Sequence, residues 1–203
     1  MKLYYIPSAC SLSPHIIANE LGLPIELVKV DSKTKRTEHG EDYLAINPKG
    51  YVPALQLDDG RVLTEGPAVA QYLADLKPEA KLAPANGSMA RYRLQEMLGY
   101  INSELHQGYL PLFYPETSDE VRAGRMAHLR KHYELIDATL GFTPFLLGEQ
   151  FSITDAYLFV VTRWSAFVNL DLSPFPNLLA FQERIAARPA VQAALRREEP
   201  ATA

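Results

Sequence analysis

Apolar and polar positions follow two rhythms along this 203-residue chain, and the change of rhythm marks its organisation. Up to residue 76, short β-rich runs alternate with helical stretches. Residues 2–6 are rich in β-formers and lead into a Pro-Ser-Ala-Cys-Ser loop. The next element is a helix through His15 to Leu21. Ser11 or Ser13 can serve as its N-cap, Pro14 suits its first turn, and Gly22 followed by Pro24 stops it. Residues 25–30 read as a second strand, followed by a weaker helix or loop. Residues 54–57 and 62–64 flank Asp58-Asp59-Gly60, whose Asp-Gly pair signals a hairpin. Gly66-Pro67 then opens a helix with Val69, Tyr72 and Leu73 on one face.

That order, βαβ-α-ββα, is the thioredoxin arrangement, with the first strand pair parallel through a right-handed crossover. Residues 77–87 lose periodicity and concentrate Pro, Ala and Gly, which predicts a linker. From residue 88 onward the rhythm is helical. Residues 89–109 and 121–140 carry apolar side chains three and four apart. Ser152 and Asp155, three positions on, form a capping-box signal, although Ala156 supplies no large side chain for a hydrophobic staple. The helix opened there is apolar from Ala156 to Val161, which predicts a place at the centre of its domain. Pro174 and Pro176 precede a final helix expected to end near Arg188-Pro189. The expected fold is thus a thioredoxin-like α/β domain over 1–76, a linker over 77–87, and an all-α domain over 88–203.

Composition narrows the function classes. The formal net charge is −4 and no long run of Lys or Arg occurs, which argues against nucleic acid or an anionic membrane as partner. No apolar stretch approaches the roughly 18 residues a membrane helix needs, and Pro7 interrupts the apolar start too early for a signal peptide. A cytoplasmic location is expected. The one cysteine, Cys10, rules out an internal disulfide and any metal site built on several thiolates.

Cys10 lies between the first strand and the first helix, where a helix dipole favours a thiolate and lowers its pKa. A buried structural cysteine is the alternative, and the neighbouring Ser8, Ser11 and Ser13 favour the reactive one by suiting a solvent-reached loop. In Asn47-Pro48-Lys49-Gly50-Tyr51-Val52-Pro53, a cis Val52-Pro53 bond would turn the Val52 backbone outward toward a peptide-like ligand; an ordinary strand-entry proline is the competing reading. Glu65-Gly66 begins a helix, where backbone N–H groups bind a carboxylate and Glu65 would meet an ammonium; a dipole-stabilised acidic residue explains it equally. Gly99, Ser103, His106 and Gln107 share roughly one helical face. His106 is either a donor to a thiolate or a surface histidine.

Together, Cys10, Asn-Pro-Lys-Gly with Val-Pro-Ala-Leu, Thr-Glu-Gly and Ser-Ile-Thr-Asp-Ala-Tyr resemble the cytosolic glutathione transferases. Met-Lys-Leu-Tyr-Tyr, Ala-Cys-Ser-Leu-Ser-Pro-His and Glu-Leu-His at 104–106 narrow the resemblance to the bacterial beta class. The resemblance implies glutathione as co-substrate, no metal, and a homodimer. It implies Cys10 facing the glutathione sulfur, with Tyr5, Ser11 and His106 as further catalytic candidates. Val52, Pro53 and Tyr51 would flank the cysteinyl part, Glu65 and Gly66 the γ-glutamyl end, and Lys35 the glycyl carboxylate, with Gly99 and Ser103 contributing from the helical domain. Tyr109, Leu112, Phe113, Trp164 and Phe167 are candidates for a pocket taking a small hydrophobic electrophile or a disulfide. Relatives often carry Asn at Gly99, Gln at Tyr51 and Lys at Gln107, so substrate range and glutathione affinity are open to change here. The expected chemistry is transfer of glutathione to an electrophile, exchange through a Cys10 mixed disulfide, or both, with the cysteine favouring exchange. The alternative is a non-catalytic ligand carrier on the same fold.

Overall fold

Leucines and tyrosines of strand β1 (Lys2–Tyr5) place it at the centre of a four-stranded sheet. It pairs in parallel with β2 (Glu26–Lys29) and antiparallel with β3 (Ala54–Gln56), and β3 pairs antiparallel with β4 (Val62–Thr64), giving the order β2-β1-β3-β4. The period of two sends Leu3 and Leu55 to one face and Tyr4, Val28 and Ala54 to the other. Tyr43 of the short helix α2 (Tyr43–Ile46) closes the second face, its ring 5.5 Å from that of Tyr4. The hairpin forms where Asp59-Gly60 predicts it: Gly60 has φ +86°, and Leu57 and Arg61 are joined by a 2.8 Å backbone hydrogen bond.

The first helix, α1 (Leu12–Glu20), ends as expected, with Gly22 at φ +58° and the Leu23 N–H on the Ala18 carbonyl. It is buried from Leu12 to Ala18 because two helices cover it, α3 (Gly66–Asp75) and α10 (Pro189–Glu198). Here the structure, a computed structural model describing residues 1–198, departs from the sequence reading. The chain does not end its helices near Arg188-Pro189. A further helix starts at Pro189, since proline fits a first helical turn. That helix belongs with the sheet: the two compact units are Met1–Lys81 with the segment from Arg188, and Leu82–Ala187. Arg188 forks onto Glu20 at 2.6 and 2.9 Å, the Asn19 amide donates to the Ala190 carbonyl, and His15 Nδ1 lies 2.9 Å from Glu198 Oε1. These pairs hold α10 on α1.

The second unit is helical: α4 (Met89–Tyr100), a π-helical segment Ile101–His106, α5 (Gln107–Tyr109), α6 (Asp119–Leu140), α7 (Ile153–Arg163), α8 (Ser165–Val168) and α9 (Pro176–Ala186). Ser88 and Ser118 cap α4 and α6 through bonds from Arg91 N and Val121 N. α7 is buried from Ile153 to Thr162, matching its all-round apolar sequence. Each of its large apolar side chains contributes about 1.5–3 kcal/mol by leaving water. Asp155 closes the cap at its start, accepting from the Ser152 N–H, the Ser152 hydroxyl and the Leu146 N–H, each at 2.8 Å. Gly108 lets α5 approach α6: a Cβ there would sit 2.8 Å from Leu129 Cδ2. Among the described residues no helix is long and apolar enough to cross a membrane.

Candidate active site

The loop after β1 is folded back on itself by Ser11. Its side-chain oxygen accepts from the Ile6 N–H and donates to the Ile6 carbonyl, both at 3.2 Å. Ser8 is exposed and Cys10 partly so, as a solvent-reached loop requires, whereas Ser11 is fully buried and Ser13 nearly so, which corrects that expectation for these two serines. Ser11 thus shapes the loop, and its hydroxyl is committed to backbone. Ser8, with φ +62°, donates its N–H to Glu198 Oε2 at 3.2 Å, so the loop is also held by α10.

Cys10 sits at the end of this loop, its thiol donating to the Val52 carbonyl at 3.2 Å. The Val52-Pro53 bond is cis, which resolves the two readings of this proline. Burial pushes the Cys10 thiol up to about 12, against the smaller lowering effects of the Cys10 and Ser11 backbone N–H groups; Glu65 adds a further rise. The sequence reading, a thiolate stabilised toward neutrality, is therefore reversed. The helix start is present, but desolvation of the sulfur outweighs it. At neutral pH Cys10 is a neutral thiol and a hydrogen-bond donor. Burial also raises the Tyr5 phenol, helped by Glu38 and Glu198, so Tyr5 too stays protonated.

The segment before β3, opposite Cys10, is held by residues that the sequence reading gave no role. Tyr43 Oη and Asn47 Nδ2 both donate to the Tyr51 carbonyl at 2.7 Å. Asn47 is buried, and a buried amide inside a turn motif was a usable signal; nothing marked Tyr43. Lys35, at φ +55°, donates its ammonium to the Gly50 carbonyl at 3.0 Å, tying the 31–42 loop to the same segment. The Tyr51 side chain is exposed.

Glu65 and Gly66 complete this face. Gly66 lies against the Pro53 ring, where a Cβ would meet it at 3.9 Å. Glu65 holds φ +68°, an unfavourable backbone for a residue with a side chain, of order 1–3 kcal/mol, and such strain collects at ligand-binding positions. Lys49 Nζ reaches Glu65 Oε1 at 2.7 Å and Thr64 Oγ1 at 3.1 Å. Within this unit Cys10 thus meets Val52, Lys35 meets Gly50, and Gly66 lies against Pro53.

In the helical unit the π segment changes the spacing on which the shared face of Gly99, Ser103, His106 and Gln107 rested. A wider turn intervenes, and Ser103 turns to Glu104, donating to Oε1 at 2.9 Å. His106 Nδ1 lies 2.6 Å from Tyr157 Oη, and Tyr157 donates its one proton to Asn102 Oδ1 at 2.9 Å. Nδ1 therefore carries the His106 proton. The imidazole packs edge-on against Trp164, with centroids 4.8 Å apart. Trp164 also contacts Phe113 and Tyr109 at 5.6 and 5.8 Å. Of the pocket candidates, Tyr109, Leu112 and Trp164 are buried, Tyr109 donating to or accepting from Tyr133 Oη at 2.9 Å, while Phe113 and Phe167 are exposed. Gly99 has open space where a side chain would stand.

Family models match both parts of the chain: glutathione S-transferase, N-terminal domain over residues 7–76 and C-terminal domain over 119–197. Glutathione S-transferase GstA of Escherichia coli O157:H7 is 48% identical over 198 residues, covering 98% of each chain. The structure of BphK, a bacterial GST solved as a ternary complex, superposes with a TM-score of 0.96 at 57% identity over 98% of this chain and 99% of that one. The bacterial beta class glutathione S-transferase of Sphingomonas chungbukensis superposes at 0.95 with 46% identity, covering 98% of both chains. With both family models matched and near-complete overlap with these proteins, the chain belongs to the glutathione S-transferase family, in its bacterial beta class.

Proposed function

We propose that this protein binds glutathione beside Cys10 and transfers it to small hydrophobic electrophiles or exchanges it with disulfides, as a cytoplasmic homodimer. The observation that carries the reading is the Cys10 thiol on the carbonyl of Val52, next to a cis proline, in a chain of this family. On this reading the Val52 backbone pairs with the cysteinyl unit of glutathione, Glu65 and Gly66 take the γ-glutamyl end, and Lys35 the glycyl carboxylate. Gly99, Ser103 and His106 act from the helical unit, with Phe113, Trp164 and Phe167 toward the electrophile, backed by the core residues Tyr109 and Leu112.

The chemistry follows from protonation. A Cys10 thiol that ionises only near pH 12 donates a hydrogen bond, so it can stabilise a glutathione thiolate while that thiolate attacks carbon. This shifts the balance from exchange toward conjugation. Exchange requires the Cys10 proton to leave. A glutathione backbone N–H taking the Val52 carbonyl removes the acceptor that holds the Cys10 thiol, and its proton can then pass to another base. The Cys10 thiolate would then attack the glutathionyl sulfur of a mixed disulfide RS–SG, forming Cys10–S–SG and releasing RS⁻, which takes up a proton; a glutathione thiolate attacks the glutathionyl sulfur of Cys10–S–SG, releasing oxidised glutathione and the Cys10 thiolate, which takes up a proton. No second cysteine exists in the chain, so the resolving thiol is external.

Calorimetric titration with glutathione, paired with steady-state conjugation of a chromogenic aryl chloride, tests the proposal. Binding with turnover supports it. Absence of both would leave the ligand-carrier reading.

A further inference from the structure

Three ligand-type side chains converge in the helical unit on residues that the glutathione chemistry does not use. His128 and His132 stand four apart on α6 and so share one helical face, their rings 4.3 Å apart. Glu104, on the π segment packed against α6, aims Oε2 between them, 3.6 Å from His128 Nε2 and 3.5 Å from His132 Nε2. One donor atom from each of the three lies within 4.8 Å of the others. We propose that Glu104, His128 and His132 form a zinc-binding site.

The spacing fits the ion. Ligands about 2.1 Å from a tetrahedral zinc are roughly 3.4 Å from one another, close to the two Glu104 separations, and the two histidine donors, within 4.8 Å of each other, close onto the ion by side-chain rotation. Two imidazoles and one carboxylate suit a borderline divalent metal, whereas calcium and magnesium take oxygen ligands. The surrounding groups orient the donors. Tyr100 Oη lies 2.7 Å from His132 Nδ1 and can accept its proton, which leaves Nε2 as the ligand atom. The Ser103 hydroxyl holds Glu104 Oε1, turning Oε2 toward the histidines. All three side chains are partly exposed, which gives an ion and a fourth, water ligand access. One local bond opposes binding: His128 Nε2 lies 3.0 Å from the Glu104 carbonyl. Coordination moves the His128 proton to Nδ1 and breaks that bond. A bound ion would brace the π segment, which carries Ser103 and His106, against α6.

The test uses the full chain carrying Cys10→Ala, which removes the thiol as a competing ligand. Zinc chloride is titrated in competition with a chromogenic chelator, and cobalt(II) chloride is added separately to read the visible absorption of a tetrahedral site. One zinc per chain is expected, with at least about tenfold weaker binding in each of Glu104→Gln, His128→Ala and His132→Ala, the cobalt spectrum lost, and helical circular dichroism unchanged. Since Glu104→Gln keeps the side-chain size, it still reports if a histidine variant unfolds. No competition with the chelator, or binding within twofold of the parent in the Glu104→Gln protein, overturns the site.

Discussion

Replacing Asp155 with Asn separates hydrogen bonding from burial at the start of α7. The carboxylate accepts three hydrogen bonds at 2.8 Å, yet burial outweighs them and pushes its ionisation from the ordinary 3.8 up to about 6. Because the folded value is raised, the native state holds this proton more tightly than the unfolded chain. Its contribution to stability is full below pH 3.8 and is lost as pH rises through 6. Moving the ionisation from 3.8 to about 6 corresponds to about 3 kcal/mol. Asn cannot titrate, and it turns an amide donor toward one of the N–H groups, leaving at least one buried N–H without an acceptor, a loss of about 1–3 kcal/mol. Urea unfolding of both proteins at pH 4 and pH 7 gives the difference directly, since other titrating groups cancel. The expected result is a variant less stable at pH 4, with the wild-type advantage smaller at pH 7 by about 2 kcal/mol, enough to cancel most or all of it. An advantage that grows toward pH 7 would show that the three hydrogen bonds outweigh burial, and would refute the reasoning.

Other consequences are equally specific. Gly108→Ala places a methyl 2.8 Å from Leu129 Cδ2, so the buried Leu129 side chain must repack or α5 must shift; a loss of about 1–3 kcal/mol in urea unfolding is expected, and an unchanged midpoint shows that Leu129 gives way freely and contradicts a tightly packed approach. Glu198→Ala strips the Ser8 N–H and the buried His15 of their partner, and should destabilise by about 3 kcal/mol or more in the same assay. Glu65→Gln breaks an exposed ion pair with Lys49 worth at most about 1 kcal/mol, so stability should hold while calorimetry shows weaker glutathione binding. Alkylation of Cys10 by iodoacetamide in the free protein should climb steadily with pH through 9, and a plateau near neutrality would contradict a thiol held up by burial.

The elements with strong local signals were readable in the chain. Gly22 ends α1, Asp59-Gly60 turns the hairpin, and Ser152 with Asp155 starts α7, because each signal is a backbone requirement met within a few residues. The loop geometry that seats Cys10 was not readable, since it depends on pairings 42 to 190 residues apart, with Val52 and Glu198. The pKa of Cys10 was misjudged for a related reason: helix position is visible in sequence, whereas enclosure of one sulfur atom is a tertiary property. α10 was missed because Arg188-Pro189 looks like a terminus, and proline marks starts as well as stops. The π segment left no periodicity of its own, so a continuous helical face was expected where a wider turn displaces Ser103.

The central claim is that Cys10 lies at a working glutathione site. Intact mass after incubation with oxidised glutathione, for wild type and Cys10→Ala, addresses it most directly. The account predicts one glutathionyl group on the wild-type chain, removed by added glutathione, and none on the variant. An unmodified wild type that nonetheless binds glutathione, with conjugation unchanged in Cys10→Ala, would contradict it and leave the chemistry to other residues of the site.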